Sequence, residues 1–102
     1  MLYQQGDLLL KSVNDIPNDA IKKESTEKGF VLAEGEHTGH MHRILTGIIL
    51  YAVGAKLYLE NLEKVKILHE EHNEIILPPG KWEVDQVREY DHFEEETRRV
   101  LD

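Results

Sequence analysis

Turn chemistry interrupts this chain so often that no long helix fits between the breaks. Gly6-Asp7, the Asn-Asp-Ile-Pro run at 14–17, Lys28-Gly29, Glu34-Gly35-Glu36, Gly47 and Gly54-Ala55 follow one another closely, many of them about 8–12 residues apart, and Pro78-Pro79-Gly80 follows the polar run at 70–73. Glycine supplies backbone conformations that other residues avoid, and proline fixes φ and removes a donor. The pieces between them are short, and they are either apolar or alternate in polarity, which is the period of a strand. Residues 2–13 read as a strand around Leu8-Leu9-Leu10, with Gly6-Asp7 as a turn or bulge signal. Residues 18–23 either form a one-turn helix capped by Asn18-Asp19 or a short strand pairing with 30–33; the pattern leaves both open. Strands follow at 30–33, 40–45 and 48–53, with 56–59 as hairpin partner of 48–53 across Gly54-Ala55.

The second half continues in the same way. Residues 62–68 alternate with Leu62, Val65 and Ile67 inward, 74–77 is a short strand, and 81–90 alternates after the Pro-Pro-Gly turn. The tail changes character. Asp91 and Glu94 have the spacing of a capping box, acids precede Arg98-Arg99, and 93–101 reads as one short helix. The expected fold is a single domain, 1–102, mainly β: a small antiparallel sandwich or barrel of jelly-roll or cupin-like type with a short C-terminal helix. The expected core is Leu8, Leu10, Val31, Ile44, Ile48, Leu50, Leu57, Leu59, Val65, Ile67, Ile76, Trp82 and Val84.

Charge narrows the function classes. The net charge is −8, from 20 acidic and 12 basic residues, and no Lys/Arg run offsets it. Such a field repels nucleic-acid phosphates and anionic lipid surfaces, so neither is an expected partner. The apolar run at 44–53 is about half of what a membrane helix needs, and the N-terminus lacks a basic and apolar leader pattern. These features lead us to expect a soluble, cytoplasmic protein. There is no cysteine, which removes disulfides and thiolate metal sites. No Gly-rich phosphate loop or nucleophile elbow is present, so no nucleotide cofactor is expected.

Histidine is the unusual residue. The chain has 6, and five fall in two short clusters, His37, His40, His42 and His69, His72. His40 and His42 share one face of a strand by period two, close enough to ligate one ion. His69 and His72 face opposite ways in a strand and converge only across a turn, which the polar run Glu70-Glu71-His72-Asn73 permits. We therefore expect His40, His42, His69 and His72 to hold a divalent transition metal, and at least one histidine of the second cluster to join the first. Glu71 and Glu83 are the candidate general bases for water activated by such an ion. Glu34 and Glu36 read as solvated surface beside the first cluster, Arg88 as a strand-end ion pair, and Trp82 and Tyr90 as core.

Two resemblances bear on this reading. Gly35 before His40-Met41-His42, and Pro78-Pro79-Gly80-Lys81-Trp82-Glu83 with Glu83 in the histidine position, resemble the two cupin motifs. That resemblance implies a jelly roll with a metal near the barrel interior, ligated by His40 and His42. The chain is also similar to small uncharacterised proteins of bacteria and their phages. The shared features are Tyr3-Gln4-Gln5-Gly6-Asp7, Thr38-Gly39-His40-Met41-His42, His69-Glu70-Glu71-His72, Pro78-Pro79-Gly80 and Arg88-Glu89-Tyr90. This second resemblance implies no particular activity. The alternative function is a non-enzymatic accessory or interaction protein with surface or structural histidines, self-associating through edge strands. A third is a pH-responsive switch, since clustered histidines titrate near neutrality.

Overall fold

The computed structural model describes residues 1–35 and 38–87. Among the described residues ten strands run in chain order: β1 (Leu2–Gln5), β2 (Leu8–Ser12), β3 (Ile21–Lys23), β4 (Phe30–Glu34), β5 (Met41–Ile44), β6 (Ile49–Val53), β7 (Lys56–Asn61), β8 (Val65–Ile67), β9 (Ile75–Leu77) and β10 (Gly80–Gln86). Every pairing among them is antiparallel. One sheet has six strands in the order β1-β2-β10-β7-β6-β3, and β4-β5 and β8-β9 form separate two-stranded ribbons.

Two tight hairpins organise the large sheet. In the first, Gln5 lies opposite Leu8, leaving Gly6-Asp7 as a two-residue turn. Gly6 takes φ 57°, the conformation that a type II′ turn demands of its first central residue. Gly54, at φ 59°, does the same between Val53 and Lys56. β10 then inserts between β2 and β7, so that Gln86 lies opposite Leu8. The end of the described chain is thereby joined to its first hairpin.

Alternation sorts the side chains. On β10, Trp82 and Val84 are buried, while Glu83 and Asp85 face Lys56 on the other side. The core joins Leu8, Leu10, Leu50, Leu59, Trp82 and Val84 of the large sheet to Leu32 and Ile44 of the first ribbon and to Ile67 and Leu77 of the second. The ribbons thus cover one face of the sheet, and each fully buried aliphatic side chain contributes about 1.5–3 kcal/mol. Backbone bonds between Arg43 and Leu68, at 3.0 and 2.8 Å, stitch β5 to the end of β8. At one end of the core, buried Asn61 accepts from Trp82 Nε1 at 3.0 Å and donates to the carbonyls of Glu63, Leu77 and Pro78.

The antiparallel β architecture agrees with the sequence, and several details differ. Among the described residues the sheet does not close into a barrel; β1 and β3 remain its two ends. The expected strand at 2–13 is a hairpin, because Gly6-Asp7 reverses the chain. Residues 21–23 form a strand, but it pairs with β6 and not with 30–33. Ile76 lies opposite Lys66, so both point outward and Leu77 is buried instead. Leu62, expected inward, is 83% exposed because it precedes β8 in a bend. On β4 the expected core named Val31, but Leu32 is the buried residue and Val31 is half-buried, beside a register shift between Val31 and Ala33. The expected helix at 93–101, with Arg88 and Tyr90, lies outside the described residues.

Candidate functional site

The second buried polar group sits at the β1–β2 turn and is of a different kind. His42, in the middle of β5, is only 3% exposed, and Gln5, the last residue of β1, is equally buried. His42 Nδ1 lies 2.8 Å from Gln5 Oε1, and its Nε2 lies 2.9 Å from Asp7 Oδ1. The other Asp7 oxygen accepts from Gln86 Nε2 at 2.8 Å, and the Asp7 carbonyl accepts from Val87 N–H at 2.8 Å. The turn is therefore held from the β10 side while its carboxylate faces the histidine.

The segment between β8 and β9 supplies the rest. It leaves the sheet after Leu68, which is bonded to Arg43 next to His42, and it bends through residues 70–72. The bend removes the parity conflict of a straight strand, so His69 and His72 both reach the site. Ring centres lie 4.3 Å apart for His42 and His69, 4.6 Å for His69 and His72, and 6.0 Å for His42 and His72. The His40 ring stands edge-on to His69 at 5.7 Å. His72 lies against the turn itself: a Cβ on Gly6 would come within 2.4 Å of its Nε2.

The rim is ionic. His40 Nδ1 is 2.8 Å from Glu71 Oε1, and the Glu71 amide donates to His69 Nδ1 at 3.0 Å. Glu70 accepts from Met41 N–H at 2.9 Å and lies 3.6 Å from Arg43. The Met41 hydrogen bond, with the loop's own backbone, holds the Glu70 carboxyl below its usual range. Burial pushes the His42 imidazole below its ordinary value; Asp7 pulls it up, and the neighbouring His69 and His72 push it down again. For Asp7, burial raises the carboxyl, but the hydrogen bond from Gln86 and the His42 ring beside it bring the net shift below the ordinary value.

Of the residues singled out by sequence, His40, His42, His69, His72 and Glu71 are brought together. Glu83 is not; it faces Lys56 on the outer side of β10, so the cupin-like pairing of His40 and His42 with Glu83 does not form. Trp82 is core, packed edge-on against Tyr3 at 5.4 Å. Glu34 is exposed at the end of β4, and His37 and Glu36 lie outside the described residues. The sequence reading missed Asp7, Gln5 and Gln86. Its one available signal was the polar Gln4-Gln5-Gly6-Asp7 run around a tight turn, since a glutamine at a buried strand position must find partners there. Among the described residues, no group of three or more histidine and carboxylate side chains is arranged to hold a metal ion as the side chains stand.

Fold and site together define a small antiparallel β protein with imidazoles and a carboxylate gathered at a hairpin turn. The chain belongs to the family described as Domain of unknown function (DUF8820), whose model matches residues 4–87. That span contains all of the residues described at the site. No curated protein and no solved structure was found to match the chain. Among the described residues, no helix is long and apolar enough to cross a membrane.

Proposed function

We propose that this protein binds one divalent transition metal ion through His42, His69, His72 and Asp7, with His40 and Glu71 at the rim of the site. The observation that carries this reading is the spacing of the rings. Imidazole nitrogens bind zinc at about 2.0–2.1 Å in a tetrahedral array, which sets ring centres roughly 5 Å apart. The three rings nearest Asp7 are spaced at 4.3, 4.6 and 6.0 Å, on both sides of that value. Side-chain rotation, with His69 releasing the Glu71 amide, is the rearrangement that binding requires. Four donors complete a tetrahedral shell, which is the character of a structural site. The ion ties the β1–β2 turn to β5 and to the loop between β8 and β9.

The test is the metal content of protein purified without a histidine tag, before and after reconstitution with zinc. One equivalent of zinc is expected in the wild type. His42→Ala and Asp7→Asn are expected to lose it, and His40→Ala to retain most of it. A wild-type protein that takes up no zinc, nickel, copper or iron after reconstitution overturns the proposal. Equal retention in all three variants overturns the ligand assignment.

A further inference from the structure

Gln5 is a glutamine buried at the end of a strand, with both amide hydrogens engaged and its oxygen facing a histidine ring. Its Nε2 donates to Ile67 O at 2.8 Å and to Asn73 O at 3.0 Å. Its Oε1 faces His42 Nδ1 at 2.8 Å. Carbonyl oxygens only accept, so the amide cannot be turned over: that would set Oε1 against two acceptors. With Oε1 held toward the ring, His42 Nδ1 must be the donor. The second nitrogen, Nε2, is then left 2.9 Å from a carboxylate oxygen that also only accepts. In the neutral ring Nε2 therefore presents a lone pair beside the carboxylate, a pair of acceptors that a metal cation would satisfy.

We infer that Gln5 is the positioning residue of this site, fixing the His42 ring with its proton on Nδ1 so that Nε2 is presented to a cation beside Asp7. The tautomer is a property of the metal-free protein; its consequence for affinity rests on the metal-binding reading above. Ligating histidines are commonly oriented by such a partner on the other ring nitrogen, and removing it lowers metal affinity about 10–100-fold. Gln5 has a second role that follows from its donors. The Ile67 and Asn73 carbonyls bracket the segment that carries His69 and His72, so one amide orients one candidate ligand and pins the loop bearing two others. Gln86 does the corresponding work on Asp7, holding the Oδ2 oxygen and leaving Oδ1 toward His42.

The direct test is long-range proton–nitrogen NMR correlation of the imidazoles in metal-free, nitrogen-15-labelled protein, at about pH 8. A proton on His42 Nδ1 is expected. A His42 protonated on Nε2 alone overturns the inference whatever the protein does with metal. Zinc titration then separates the two proposals. Gln5→Leu removes both roles and is expected to bind zinc at least 10-fold more weakly. Gln5→Glu keeps an acceptor for Nδ1 and is expected to restore the tautomer and most of the affinity, even where its loop is less stable. Zinc binding by Gln5→Leu equal to wild type overturns the positioning role. A wild type with the expected tautomer but no zinc binding sinks the metal reading and leaves the tautomer assignment standing.

Discussion

At the scale of single residues, the site depends on one glycine and one titrating ring. Gly6 sits at φ 57° with the His72 ring where a side chain would begin. The ring of an exposed histidine can swing away, so the cost of Gly6→Ala comes mainly from the positive-φ backbone of the turn, about 1–3 kcal/mol. Chemical denaturation is expected to show that loss, with zinc affinity falling because His72 is displaced; unchanged stability and affinity together would contradict the packing described. His42 gives a pH dependence whose sign is fixed by its direction of shift. Its folded pKa lies below the ordinary 6.5, so the unfolded chain binds the proton more readily. Stability of the metal-free protein is therefore highest above 6.5 and falls as the pH drops from there through the folded value. Asp7 adds a second loss in the same direction as the pH falls below 3.8, because its carboxylate is also favoured by folding. The check is the unfolding free energy measured from pH 8 to pH 3. The His42 step should be absent from His42→Ala.

At the scale of elements, β10 and the loop between β8 and β9 do most of the work. β10 lies between β2 and β7, and its Trp82 is tied to Asn61. Asn61→Leu leaves the Trp82 N–H and the carbonyls of Leu77 and Pro78 without their partner. Each such buried group costs about 1–3 kcal/mol when orphaned. A loss of about 3 kcal/mol is expected in denaturant melts, against well under 1 kcal/mol for Lys81→Ala, whose ion pair to Asp15 is largely solvated. Leu59→Ala, fully buried on β7, should lose about 2–5 kcal/mol. Strand existence was legible in the turn spacing, because glycine and proline act locally. Strand phase was less so. Ile76 and Leu77 are equally apolar, and only the pairing of Ile76 with Lys66 decides which faces inward.

At the scale of the whole molecule, the proposed metal binding would be coupled to folding as one equilibrium. The proposed ligands come from the first hairpin, β5 and the loop after β8, far apart in the chain. A ligand held only by the folded form stabilises it by about 2.7 kcal/mol at a free concentration 100 times its dissociation constant. Excess zinc is expected to raise the melting temperature of wild-type protein by several degrees, a chelator to reverse it, and His42→Ala to show neither response. A melting temperature indifferent to zinc, nickel and copper would contradict this coupling. The pairing of Leu8 with Gln86 closes nearly the full length of the described chain. Such non-local contacts carry a large loop-closure cost before they form.

By itself, the sequence determined the antiparallel β character of this protein, the hairpin at Gly54-Ala55 and the two histidine clusters, because turn chemistry and alternation are local properties. It also contained the condition for convergence, a turn between His69 and His72, without deciding that the turn forms. Tertiary structure decided the partners. It turned the Gly6-Asp7 hairpin toward β5, brought Asp7 and Gln5 to the two nitrogens of His42, and left Glu83 on the far side of β10 with Lys56. Those outcomes depend on which strands lie side by side, and adjacency in a sheet is set by burial of the whole core rather than by any segment's own pattern.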